Sequence, residues 1–403
     1  MQPITAPGTA PRPADLPPGR WIWRLAGIAT VLTCAALLSY STVRAGTADF
    51  GQYQQSALPT RTVVVNGEVS SLTVNSYGSL IRVSRGSVNQ VTVTETIGFD
   101  PSVGPPAVQA RVNHGDLTLD APSCQHGGCT VGFAVIVPAS FPSVTVSASS
   151  DGGPVSVSGV AAANIDSGSG PVNASDVQGL LTVTSAGGDI TASGLGSASL
   201  DSGSGNVSAS GIPGTLNIIS EGGSIDVHGT GSATLDSGSG QVNASAVLGT
   251  LAVTSAGGSV HVAGTRGVTV DSGSGGVDAR SVNGPLSATT SGGSLEVDGL
   301  TGPLIADTGS GPFNASGITS ATARVTTDGG SAWMSFTKAP QSVQVTTASG
   351  DAVLVLPGGP YQVSDESDGG PVDVSVPVSP GAAHLIVVST GGGALQVKPP
   401  AGS

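Results

Sequence analysis

The pentapeptide Asp166-Ser-Gly-Ser-Gly170 returns at 201–205, 236–240 and 271–275, each time 35 residues on. It returns again as Asp307-Thr-Gly-Ser-Gly311 after 36. Midway between successive copies stands a second glycine marker: Ser185-Ala-Gly-Gly188, Ser220-Glu-Gly-Gly223, Ser255-Ala-Gly-Gly258 and Thr290-Ser-Gly-Gly293. A fixed period of this length belongs to chains that stack one small unit on the next, and it excludes most globular arrangements at once.

The first apolar residues after each glycine turn are Val155, Val172, Ile190, Val207, Ile225, Val242, Val260, Val277, Leu295 and Phe313. Successive positions are 17 or 18 residues apart. The 35-residue unit is therefore two rungs, each reading strand, glycine turn, strand, glycine-bearing turn. Apolar residues recur at i and i+2, the period of a strand with one buried face, and no helical period is present. One rung cannot bury its own apolar face, so the rungs must stack in parallel register. The expected fold is all-β: a parallel β-solenoid of 17–18-residue rungs, preceded by one transmembrane helix. Small pairs such as Val172/Ala174 alternate with larger ones such as Ile225/Val227, as close packing requires. No aromatic occurs from 142 to 312, which suits a thin core without space for rings.

Gly-rich, weakly charged composition can also mean disorder, but the regular Val, Ile and Leu placement supplies the apolar surface that disordered chains lack. Residues 46–403 hold nine Lys and Arg against 25 Asp and Glu. That balance excludes nucleic acid as a partner, because binding it needs a basic footprint.

Residues 1–20 read as a disordered Pro-rich tail. Residues 21–44 then form a transmembrane helix or signal anchor. Within them 25–43 carry no charge over 19 residues, about the length that spans a bilayer. Arg12, Arg20 and Arg24 precede it, so the positive-inside rule keeps the N-terminus cytoplasmic and places the solenoid outside a single-pass membrane anchor. The alternative is secretion after signal cleavage near Ala45. Residues 45–59 read as a linker.

Residues 60–150 alternate as strands and form an N-terminal β-rich part of the solenoid domain. There Cys124 and Cys129 flank Gln-His-Gly-Gly. In an exported segment the pair is a disulfide candidate; with His126 it is a metal candidate, though one ligand short of a structural zinc site. Residues 151–315 carry the regular repeat. Residues 316–403 read as degenerate rungs and a cap, where aromatics reappear as Trp333, Phe336 and Tyr361.

Phe133-Ala-Val-Ile-Val-Pro138, then Val144-Thr-Val146, then Ser150-Asp-Gly-Gly-Pro-Val-Ser-Val157, resembles the signature of the bacterial putative adhesin family. A weaker echo stands at Val355-Leu-Pro357 with Tyr361-Gln-Val363. The resemblance covers about residues 60–395 and implies a β-solenoid domain of unknown function, often behind one membrane helix. High Gly, Ala, Ser and Thr with few lysines is also similar to actinobacterial composition.

Among candidate sites, the ladder Asp166, Asp201, Asp236, Asp271 and Asp307 offers carboxylates for Ca²⁺. It stands against a plain turn role, in which Asp and Ser bond nearby amides and the glycines take positive φ. Every second rung is roughly 9.6 Å, too far for two carboxylates to share an ion. His114, His126, His228, His261 and His384 show no triad spacing, and His228 and His261 are 33 apart rather than 35. No catalytic residue and no cofactor are expected. Trp333 and Phe336 form a possible-partner patch. The expected role is a non-enzymatic, membrane-anchored, cell-surface adhesin-like scaffold, bound to the membrane through 25–43 and outward to a surface glycan or protein. The alternative is an envelope accessory or regulatory protein binding a membrane partner; a polysaccharide-active enzyme is the third reading.

Overall fold

The computed structural model of the chain describes residues 56–121 and 128–401. The tail 1–20, the apolar segment 21–44, most of the 45–59 linker, Cys124 and His126 lie outside these residues. Among the described residues no helix is long and apolar enough to cross a membrane.

The described residues form a parallel β-solenoid of about 12 turns with rungs of about 18 residues. Each rung contributes one strand to each of two columns. Ala162–Ser167, Leu180–Ser185 and Ser197–Ser202 are successive strands of the first column. Val155–Ser158, Val172–Ser175 and Ile190–Ser193 are successive strands of the second. Pairing is parallel and in register, so Ile165 lies against Val183 and Val183 against Leu200. Apolar residues stack on apolar residues, large often on small as in Ala163, Leu181 and Ala198, because each rung repeats the same inward positions.

The rung 163–177 shows how the inside is filled. Ala163 and Ile165 point in from the first column, Val172 and Ala174 from the second, and Val177 from the return corner, all buried. That corner is a ladder of its own: Val160, Val177, Leu195, Ile212, Thr230, Val247, Thr265, Val282, Leu300, Ile318 and Phe336 are all buried. Rings do enter this core. Phe313 is wholly buried, and its strand partners are Leu295 below and Ala332 above. A small neighbour supplies the volume that the ring takes, which is why the absence of aromatics from 142 to 312 is not a limit of the fold.

The sixth inward position is a hydroxyl. Ser167, Ser185, Ser202, Ser220, Ser237, Ser255 and Ser272, then Thr290, Thr308, Thr327, Thr347 and Thr390, are all buried. Apart from Thr308, each donates to the carbonyl of the glycine three residues on, for example Ser202 Oγ to Gly205 O at 2.8 Å and Thr290 Oγ1 to Gly293 O at 2.8 Å. These bonds close the sharp turn between the columns and satisfy a carbonyl that burial would otherwise strand.

The turn glycines are there for close approach, not for positive φ as the sequence suggested. A Cβ on Gly188 would lie 2.0 Å from the Gly170 carbonyl oxygen, and one on Gly258 would lie 1.8 Å from that of Gly240. Stacked turns touch backbone to backbone. Positive φ belongs to the other turn, at Gly194, Gly211, Gly229 and Gly264, and three rungs hold a non-glycine there: Asp176, Ala246 and Ser281 at φ 54°, 54° and 53°.

Both ends depart from simple sequential stacking. Ser71–Ser76 lies between Asp116–Asp120 and Thr145–Ser150, so the rung first in the chain is not outermost in space. Antiparallel strands close this end: Val91–Phe99 pairs with Arg61–Val65 and with Cys129–Pro138. At the far end Leu385–Thr390 sits between Ser342–Thr347 and Gln362–Asp365. Leu395–Lys398 likewise sits between Ala352–Val355 and Val372–Val374.

Candidate binding face

Alternation along each second-column strand sends two side chains per rung outward. The first outward ladder runs Asn173, Thr191, Ser208, Asp226, Asn243, His261, Asp278, Glu296, Asn314 and Trp333. The second runs Ser175, Ser193, Ser210, His228, Ser245, Ala263, Arg280, Asp298 and Ser316. The rungs fix both ladders at the strand spacing of about 4.8 Å, so this face is a rigid grid of short polar groups.

From 226 upward the grid becomes charged and cross-linked. Asn243 Nδ2 donates to Asp226 Oδ1 at 2.6 Å, and the ring of His228 lies 2.9 Å from Ser245 Oγ through Nδ1. Arg280 binds Asp278 through both oxygens: Nε donates to Oδ1 at 2.9 Å, and a second guanidinium nitrogen lies 2.8 Å from Oδ2. The hydrogen bond that Arg280 donates to Asp278 and the charge of that carboxylate hold the Arg280 guanidinium above its usual range, and Asp298 and Glu296 add to the effect. His261 Nδ1 lies 3.6 Å from the same Asp278 carboxylate. His228 and His261 thus share one outer face, one on each ladder. Their 33-residue separation is two rungs less one side-chain pitch of two.

Two shallow grooves meet at the Asp278–Arg280 pair. One, of about 350 Å³, runs from this pair past Glu296, Asp298 and Asn314 to Trp333. The other runs down past His261 and Ala263 to Asn243 and Ser245. Trp333 stands at the end of the first groove, 37% exposed. Phe336 does not join it. Three residues further along the same strand it faces inward, 2% exposed in the corner ladder, so the expected Trp333–Phe336 patch reduces to Trp333 alone.

The Asp ladder stands on the opposite column. Asp166, Asp201, Asp236, Asp271 and Asp307 are exposed on the first column's outer face, each separated from the next by a Thr or by Ile219. Among the described residues none of their carboxylates has a hydrogen-bond or ion-pair partner. The turn role proposed for them belongs to the buried serine that follows each of the first four, Ser167, Ser202, Ser237 and Ser272; Thr308, after Asp307, does not make the bond. Among the described residues no group of three or more His, Cys, Asp or Glu is placed to hold a metal ion. Cys129 is disulfide-bonded, and Cys124 lies outside the described residues. His114 sits on the hairpin after Gln109–Asn113, and His384 donates from Nδ1 to Pro340 O at 2.7 Å beside the Tyr361 ring.

No protein-family model matches the chain, and no curated protein matches it. Similar solved structures include a putative adhesin from Bacteroides fragilis NCTC 9343, 12% identical, with 86% of this chain and 98% of that chain covered at a TM-score of 0.23. A putative cell adhesion protein from Clostridium sporogenes ATCC 15579 is 9% identical, over 85% and 99% of the two chains, with a TM-score of 0.18. A putative adhesin from Parabacteroides merdae ATCC 43184 is 14% identical, over 70% and 97%, with a TM-score of 0.27. Likeness at this level carries no argument about what this chain binds.

Proposed function

We propose that the chain is a non-enzymatic, adhesin-like scaffold, held at the cell membrane through 25–43, whose solenoid presents the second column's outer face to a surface partner. The observation that carries this reading is the two-ladder polar grid, a hydrogen-bonding side chain at every outward position from Asn173 to Ser316 except Ala263. Such a grid holds no enclosed cleft. It offers many weak, equally spaced contacts on a rigid frame, and weak contacts at fixed spacing add by multivalency.

The test is deletion of whole double rungs. Leu181, Leu216 and Leu251 occupy the same inward layer, so removing 181–215 or 216–250 rejoins the chain in register. Attachment of cells bearing the intact and shortened chains to a surface partner is then compared, with protease shaving to establish that the solenoid is outside. Attachment that falls stepwise with each deletion supports the scaffold. The accessory reading is favoured by the groove at Trp333, because a discrete partner site leaves binding unchanged when distant rungs are removed.

A further inference from the structure

The groove beside Trp333 has a chemical character the rest of the face lacks. Its walls and floor alternate along two ladders. Asp278, Glu296, Asn314 and Trp333 form one, and Arg280, Asp298 and Ser316 the other. Arg280 is the groove's cation, and Asp278 already takes it bidentately. Asp298 accepts a hydrogen bond from Ser316 Oγ at 2.8 Å, and Glu296 accepts none. Neither Glu296 nor Asp298 forms an ion pair. Two carboxylates beyond the Asp278–Arg280 ion pair therefore face the groove, within reach of the Arg280 charge but in no ion pair with it, and at its end stands a half-open indole. An indole face attracts cations through its quadrupole, most strongly among the aromatic rings.

We propose that this groove binds a basic peptide segment, with an arginine or lysine side chain stacked on Trp333 and a second cationic side chain between Glu296 and Asp298. Length agrees with this occupant. Three rung steps separate Asp278 from Trp333, on the order of 14 Å, and an extended peptide rises about 3.3 Å per residue, so about four residues fit. The same carboxylates repel acidic glycans and acidic peptides. The inference takes from the proposed function only that the second column's outer face is the binding surface.

The experiment uses the full chain in detergent and a tetra-arginine peptide as probe, followed by tryptophan fluorescence and calorimetry. Trp333→Ala removes the signal specific to the groove and leaves Trp21 and Trp23 as background. Expected results are saturable 1:1 binding, a fluorescence change lost in Trp333→Ala, and affinity reduced about 2- to 30-fold by that variant. Glu296→Gln with Asp298→Asn reduces affinity by a comparable factor of about 2 to 30. Added salt weakens binding in the parent more than in this double variant. Asp236→Asn, on the other column, leaves affinity unchanged. Circular dichroism of each variant establishes that these exposed changes leave the fold intact. The proposal is overturned if binding is non-saturable, if Asp236→Asn weakens it as much as the groove variants, or if the uncharged cellotetraose produces the Trp333 signal in place of the peptide. These outcomes are separate from cell attachment, which can persist or fail on the remaining rungs whatever the groove does.

Discussion

Ser237 is the place to test what holds the turns. Its hydroxyl is buried, 1% exposed, and donates to Gly240 O at 2.8 Å. The carbonyl is packed against the next rung, where a Cβ on Gly258 would lie 1.8 Å from it, so water cannot replace the lost donor. Ser237→Ala removes one oxygen atom and leaves a buried acceptor unpaired, at a cost of about 1–3 kcal/mol. Ser237→Thr keeps the donor, and Thr290 and Thr327 show that threonine makes the same bond in the same layer. Stability in a stack is a sum of local terms, so a single global melting curve can blur a one-rung defect. Amide hydrogen exchange reads it locally. In Ser237→Ala, protection in Ile225–Ser237 and Val242–Ser245 falls about 5- to 150-fold, while Ser237→Thr stays near the parent. If both variants lose protection equally, the site responds to shape and not to the hydrogen bond. If neither does, the hydroxyl ladder is not what closes the turns.

Further consequences are open to simpler measurements. Thr308, Thr230 and Thr265 bury hydroxyl oxygens with no partner, so Thr→Val at each stabilises the fold by up to about 1 kcal/mol, seen as a higher urea midpoint. Ala246 and Ser281 hold a left-handed backbone; Ala246→Gly relieves about 1–2 kcal/mol of strain against about 0.5–1 kcal/mol of added chain entropy, and the melting temperature rises slightly. Gly258→Ala forces its Cβ into the Gly240 carbonyl and costs at least about 3 kcal/mol, seen as loss of the folded signal or of soluble yield. Burial raises the Tyr361 phenol above its usual value of 10.0, and the phenol donates to Pro357 O at 2.6 Å. The folded form therefore keeps the proton that the unfolded form releases first. Stability is complete below pH 10 and falls as pH rises towards the folded value; Tyr361→Phe flattens that alkaline loss in a denaturation series.

The stack itself was legible because its cause is local and repeated. The glycine markers and the i, i+2 apolar pattern recur at every rung, and parallel register follows from them. The hydroxyl ladder was equally legible in principle: Ser167 continues the inward alternation of Ala163 and Ile165, and the same parity separates Trp333 from Phe336. In the pentapeptide it is the Ser that turns inward, while the more conspicuous Asp stands on the outward side. At the turn glycines the sequence shows that small size is needed but not whether φ or a neighbouring backbone demands it. The grouping of Asp278, Arg280, Glu296, Asp298 and Trp333 depends on which side chains meet across rungs, a register that spacing along one chain does not display. The order of the end rungs has no local signal at all.

That order has a practical meaning at the far end. The strands 385–398 are a wedge, driven between a rung already formed at 342–355 and its own predecessor at 362–374. Trimming the chain back from residue 398 therefore does not peel a lid from the column. It pulls out an inner course and leaves the top course, Gln362–Asp365 and Val372–Val374, with nothing beneath it to bond to. As the chain emerges, 362–374 must either wait or sit provisionally on 342–355 and be lifted off when its successor arrives. The column is finished from below its roof.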